Sequence, residues 1–141
     1  MKVALIIADE FRPEIGGKQT ALGLFADGTV VLEPLDQRKS GSSLPRGIER
    51  LSFLVSISDV PSGTHAYKGQ IIAPDGKPHG AEMSFGDTVT VEGKSHIVVI
   101  VAKPFLVNGT GTYKLKFYVD DTPYELPFKL IDGPLTGPST T

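Results

Sequence analysis

His65, His79 and His96 are the side chains of this chain best suited to moving a proton, and they stand fourteen and seventeen residues apart. A hydrolytic relay needs a nucleophile, a base and an orienting group in contact. The chain has no cysteine, and no Gly-x-Ser-x-Gly elbow offers a serine in its place. The histidine spacings match no short zinc motif. Each histidine is therefore expected to be an ordinary surface side chain. Asp9-Glu10, Asp59, Asp87 and Asp120-Asp121 fall at expected strand ends or loops. Loop acids of β-rich proteins sometimes hold calcium, but no Asp-x-Asp run is present, so solvated acids are the expectation. No spacing pairs two carboxylates for glycoside cleavage. Gly16-Gly17-Lys18 lacks the spaced glycines and following Ser or Thr of a phosphate loop and reads as a hairpin turn. Asn108-Gly109-Thr110 matches a glycosylation sequon by coincidence. No catalytic residue, metal ligand or cofactor is expected, and the chain does not read as an enzyme.

Aromatic side chains are the remaining candidates. There is no tryptophan. Strand parity points Tyr67, Tyr118 and Tyr124 outward. Tyr118 and Tyr124 flank one expected hairpin, so together on one sheet face they form the candidate binding pair. Such a pair suits a sugar or small ligand, or a protein patch, where tyrosine is favoured. It equally suits cross-strand stabilisation of the hairpin.

The elements that position these residues are short strands. The stretch Asn108 to Asp120 alternates cleanly, with Tyr113, Leu115, Phe117 and Val119 on one face and Lys114, Lys116 and Tyr118 on the other, the mark of a half-buried strand. Leu51, Phe53, Val55 and Ile57 repeat the pattern inward. Lys2 to Asp9 is a continuous apolar run and suggests a strand covered on both faces. Ile97 to Val101, the most apolar window, is expected as a fully buried strand at the centre of a sheet. Leu22 and Leu24 share one face of a looser strand. Asp27-Gly28 is a hairpin signal, which makes the first thirty or so residues a small meander. Pro74-Asp75-Gly76-Lys77 is a tight turn. Ala81 to Phe85 and Thr88 to Val91 read as separate short strands around Gly86-Asp87, and Tyr124 to Ile131 is the last strand. Arg46 to Leu51 offers at most one helical turn. Asp36 to Arg46 reads as a long polar surface loop.

The chain has 141 residues, with 40% apolar and 21% charged side chains, and that suits one globular domain with a sizeable core. The domain is expected over residues 1–132, followed by a flexible Pro/Gly-rich tail over 133–141. Sixteen glycines and eleven prolines supply the turns that all-β folds need. Net charge is −2 with no basic run, which argues against nucleic acid. The apolar start is too short for a signal core or a membrane span. Cysteine-free composition fits a reducing compartment, and the expected localisation is cytoplasmic.

Gly109-x-Gly111-x-Tyr113-x-Leu115 resembles the tyrosine corner of immunoglobulin-like sandwiches, in which a tyrosine just inside a late strand bonds back to the preceding loop. More broadly, Leu5 to Glu10 (LIIADE), Gly16 to Phe25 (GGKQTALGLF), the alternation from Leu51 to Ile57, Ser62 to His65 (SGTH), Ile71 to Lys77 (IIAPDGK), Gly111 to Asp121 (GTYKLKFYVDD) and Glu125 to Leu130 (ELPFKL) resemble an uncharacterised bacterial family of short proteins. That resemblance covers most of the chain. It implies a bacterial or phage source and a sandwich fold, and it transfers no catalytic residue. The expectation is thus an all-β, immunoglobulin-like antiparallel β-sandwich of eight to ten strands. Its expected role is non-enzymatic, in protein–protein interaction or structural assembly, with a protein partner or its own copies and with no nucleic acid or membrane. The alternative is a carbohydrate- or small-ligand-binding module.

Overall fold

In a computed structural model the described residues are 1–25, 27–32, 47–90 and 95–133. They are all-β, with eleven strands: β1 (Lys2–Pro13), β2 (Gln19–Phe25), β3 (Thr29–Leu32), β4 (Gly47–Ile48), β5 (Leu51–Ser58), β6 (Gly63–Ile72), β7 (Pro78–Thr90), β8 (His96–Ala102), β9 (Phe105–Leu106), β10 (Gly111–Val119) and β11 (Thr122–Asp132). One sheet has the order β2-β1-β5-β8, a second β3-β11-β10-β6-β7, and β4 pairs with β9 in a small third sheet. All pairings are antiparallel except that of β3 with β11. The fold is consistent with a β-sandwich. Of the expected polar loop, residues 36–46 lie outside the described residues, as do residues 134–141 of the expected tail.

The two large sheets share one core because their strands alternate. Leu51, Phe53, Val55 and Ile57 of β5 and Tyr113, Leu115, Phe117 and Val119 of β10 are all buried in it. Burying each such side chain contributes about 1.5–3 kcal/mol before the loss of conformational entropy. The aromatic rings join the sheets. Phe53 of β5 lies edge-on to Phe128 of β11 with centroids 5.1 Å apart, Phe128 stacks on Tyr113 at 5.5 Å, and Phe105 meets Tyr113 at 5.7 Å.

Several local expectations hold. Gly16 and Gly17, both at positive φ, turn the β1–β2 hairpin, and the Glu14 N–H donates to the Lys18 carbonyl at 2.7 Å. The Pro74–Lys77 turn closes through Gly76, at φ 83°, whose N–H donates to the Ala73 carbonyl. Tyr113 makes the corner. Its hydroxyl donates to the Gly109 carbonyl at 2.8 Å and accepts the Asn108 N–H at 2.8 Å. Burial raises the Tyr113 pKa, so the phenol keeps its donor proton.

Others are corrected. β1 runs on to Pro13, which is tolerated because it ends the strand opposite Gln19. Asp27-Gly28 does not close a hairpin. The chain leaves β2 in the four-stranded sheet and enters β3 in the five-stranded sheet, parallel to β11, so the meander ends after β2. A turn sequence fixes a local reversal, and the pairing of its flanking strands is decided by which faces they bury. The segment from Pro78 to Thr90 is one strand, continuous through Gly86 at φ 75°. Gly47 and Ile48 pair with β9 in place of any helical turn. Ile97 to Val101 lies in β8, the last strand at one side of its sheet among the described residues, and not at the centre.

Tyr113→Phe removes both corner hydrogen bonds while keeping the ring. The expected cost is about 1 kcal/mol or more, read as a lower urea midpoint with an unchanged slope. An unchanged midpoint would mean that the corner does not hold the loop.

Candidate functional site

The histidines and several of the acids hold strands and turns together. His65, near the start of β6, places Nδ1 2.8 Å from the Asp120 carboxylate and Nε2 2.8 Å from the Pro61 carbonyl. Both neighbours are acceptors, so only the imidazolium satisfies both contacts. The His65 pKa is accordingly raised, first by the Asp120 hydrogen bond and then by the Pro61 carbonyl. The Asp120 pKa is lowered, first by His65 and then by the Ala66 N–H, which donates to its other oxygen at 2.9 Å. Asp120 sits in the β10–β11 turn in left-handed geometry, φ 54°, which aspartate tolerates. Its own N–H donates to the Ala66 carbonyl at 2.7 Å. The group is a clasp between that turn and β6.

His79 stacks on Phe105 with centroids 4.7 Å apart, meets the Tyr113 ring edge-on, and contacts the Leu106 carbonyl through Nε2. His96 leans on Tyr67 at 6.2 Å. The three histidines are thus structural contacts in separate places, where surface positions are expected from sequence. Glu10 is paired with Arg12 at 3.0 Å and Arg50 at 2.6 Å, and these cations, Arg12 foremost, lower its pKa. Among the described residues no three His, Asp or Glu side chains form a group that could hold a metal ion. The Asp87 side chain lies outside what is described.

The tyrosines depart from their expected positions. Tyr67 is 2% exposed and stacks on Phe117 at 5.9 Å, inside the core. Tyr124 pairs with Phe117 and packs against the core, whereas Tyr118 pairs with Pro123 on the opposite side of the sheet. The reason is the two-residue turn. Val119 pairs with Thr122, so residues of opposite parity share a face, and two even-numbered tyrosines cannot. Tyr118 and Tyr124 therefore form no common platform. The outward Tyr118 has the Lys116 ammonium 5.7 Å from its ring centroid.

What the structure does bring together is an apolar face that counting reactive residues does not find. Along its inner strands the outer side of the five-stranded sheet is mostly polar, with Lys114, Lys116 and Tyr118 on β10, Glu125 on β11, and Lys68 and Gln70 on β6, while Ile72 lies beside Lys114 and the exposed pair Val31 and Ile131 lies at the β3 side. An antiparallel sheet with one wet face has this form. The outer side of the four-stranded sheet does not. The registers set Ile6 beside Leu54 and Leu54 beside Val99, Ala8 beside Leu24 and Ser52, and Ser52 beside Val101. Leu24 is 55% exposed, Val101 53%, Ile97 46% and Ile6 42%. On this side Leu54 and Ala8 are nevertheless buried, at 6% and 0% exposure. The charges keep to the margins, at Lys2 at one end of β1 and the Glu10–Arg12–Arg50 group at the other.

No protein-family model matches the chain, and no curated protein matches it. No helix among the described residues is long and apolar enough to cross a membrane.

The clasp has a defined pH window. The folded His65 pKa lies above its ordinary 6.5, so that contribution to stability is full below pH 6.5 and is lost as pH rises through the folded value. The folded Asp120 pKa lies below its ordinary 3.8, so its contribution is present above pH 3.8 and is lost as pH falls through the folded value. The gap in urea midpoint between the parent and His65→Gln is expected to be widest between those limits and to narrow as pH rises through the folded His65 value. A gap independent of pH would show that the ring in the clasp is neutral.

Proposed function

We infer that this chain is a small non-enzymatic module for protein–protein interaction or structural assembly, and that it docks protein, copies of itself included, on the outer face of its four-stranded sheet. The observation that carries this is the contrast between the two outer faces. The inner strands of the five-stranded sheet present lysines, glutamine and glutamate outward, with apolar Val31 and Ile131 at the β3 side, while the four-stranded sheet presents Leu24, Ile6, Leu54, Ile97, Val99 and Val101 across all four strands. Contiguous apolar surface rimmed by polar groups marks an interaction site. The sequence pattern supports the same reading. The apolar runs in β1 and β8 are those of strands covered on both faces, and among the described residues the core cluster packs against one of those faces.

The immunoglobulin-like type of the sandwich is part of this reading. It is supported by the Tyr113 corner near the start of β10 and by β3 running parallel to the last strand at the side of the five-stranded sheet. The resemblance to an uncharacterised bacterial family of short proteins and a cytoplasmic setting are proposed with it. A carbohydrate- or small-ligand-binding role needs an aromatic platform, and the opposed placement of Tyr118 and Tyr124 gives it no favouring observation.

The test is light scattering after size exclusion over a concentration series, comparing the parent with Ile6→Lys/Leu24→Lys. Both side chains already reach water, so the double variant is expected to keep its urea midpoint within about 1 kcal/mol of the parent and to form smaller particles. Equal particle mass in the two proteins at every concentration would count against this face as an assembly surface.

A further inference from the structure

The four-stranded sheet ends at β8, and no described strand pairs with its far edge. Sheet edges left unpaired are templates for another strand, and proteins blunt them by short strands, bulges, charge or proline. Every other edge here is blunted. β3 has four residues. β2 carries Gly23 at φ 68°, where the Asp9 carboxylate overlies the α-carbon and a side chain would collide with it. β7 starts at a proline, carries Gly80 and Gly86 at positive φ, and pairs with β6 through two register shifts. β8 has none of these devices. His96–Ala102 contains no Lys, Arg, Asp, Glu, Gly or Pro, and its register with β5 runs unbroken from Leu51↔Ala102 to Ile57↔His96.

We propose that β8 is the pairing edge for a second copy of this chain, joined antiparallel about a two-fold axis at Val99 so that two four-stranded sheets become one sheet of eight. The sequence of β8 suits this occupant. A two-fold normal to the sheet keeps outward side chains outward, so the axis must pass a residue and not fall between two. Val99 is the middle of the seven residues, and an axis there pairs all of them. On the outer face Val99 then meets its own copy and Ile97 meets Val101. On the inner face Val98 meets Ile100, and His96 meets Ala102. Each central pair is β-branched against β-branched, a favoured cross-strand combination, and no like charges are opposed. Other chains with a free strand satisfy the backbone equally, but this strand is complementary to itself.

The area of the outer face points the same way. Four strands about 4.8 Å apart and roughly seven residues long at about 3.3 Å per residue span a plane of roughly 450 Å². A specific interface takes about 800 Å² from each partner. One face is short of that, and two faces made continuous through β8 reach it. The docking surface inferred above is then composite, and incomplete in a single chain. This proposal rests on that reading of the face, but the two fail separately.

Because the chain has no cysteine, single cysteine variants report the geometry directly. Under mild oxidation Val99→Cys is expected to give a covalent dimer. Ile97→Cys and Val101→Cys are expected to link poorly alone and readily when mixed. Leu24→Cys, exposed on the same face but far from the edge, is expected to stay single. Linking of Leu24→Cys as fast as Val99→Cys, or no linking of Val99→Cys and of the Ile97→Cys and Val101→Cys mixture, would overturn the proposal. Retention of the parent's urea midpoint by each variant shows that folding is not the cause. Particle mass separates this from the face itself. If both hold, Ile6→Lys/Leu24→Lys reduces the parent's larger particle to a two-chain one. A two-chain particle unaltered by that double variant supports the edge and not the face. A two-chain particle that the double variant reduces to single chains supports the face and overturns the edge. A parent that is a single chain at every concentration overturns the edge as well.

Discussion

The structure depends on one packing constraint, the contact of the inward residues of β5 with those of the five-stranded sheet. β5 is an inner strand of its sheet and β10 the central strand of the other, and both present a buried side chain at every second residue. Protein interiors pack at crystal-like density, so once Phe53 is fixed against Phe128, and Phe128 against Tyr113, little freedom of register remains for the neighbouring strands. The Tyr113 hydroxyl then ties the 108–109 loop to the same ring that fills the core. His65 and Asp120 do the equivalent at the other end of β10, joining the β10–β11 turn to β6. Polar groups that resemble reaction machinery in the sequence are here terminations of strands.

Much of the fold was legible in the sequence because period-two alternation is a direct image of burial. The Tyr113–Val119 and Leu51–Ile57 patterns, the turns at Gly16-Gly17 and Pro74–Lys77, and the corner tyrosine all describe interactions between near neighbours or a strand and its own core. Long-range choices were not legible. Asp27-Gly28 reverses the chain in the same way whether its strands pair or part to different sheets. Tyr67 is buried because its register with Val119 puts it on the core side, and parity counted within one strand has no absolute origin. The opposition of Tyr118 and Tyr124 follows from a two-residue turn, and a loop longer by one residue would have put them on one face. The Asp120–His65 contact joins residues 55 apart in sequence, and nothing in the spacing of either announces it.

The misplacement of Ile97–Val101 is the most informative of these differences. A run of apolar residues shows that both faces of a strand are disposed to leave water. It does not show that the covering atoms belong to the same chain. The inner residues Val98, Ile100 and Ala102 meet the core, while Ile97, Val99 and Val101 lie on the outer side, where Ile97 and Val101 are about half exposed. The same holds for β1, where Val3, Leu5 and Ile7 face the core and Ala4, Ile6 and Ala8 face out. Under the proposal made above, the expectation of two-sided burial and the edge position of β8 agree, because a second molecule then covers the outer side.

That argument also bears on why the outer face of the four-stranded sheet is flat and small-residued as well as apolar. Between the larger Ile6, Leu54 and Val99 lie Ala4, Ala8, Ser52 and Ser56. The Ser52 hydroxyl on this face, fully buried, is satisfied within the chain by donating to the Asp9 carbonyl at 3.0 Å. It can therefore be covered without leaving a polar group unpaired, which costs about 1–3 kcal/mol when it happens. A face meant for water gains nothing from such an arrangement, and the lysine-bearing face of the other sheet shows what this chain does when water is the partner. Small and apolar side chains with an internally satisfied Ser52 hydroxyl are the conditions under which a second protein surface can approach the middle of this sheet with little desolvation penalty.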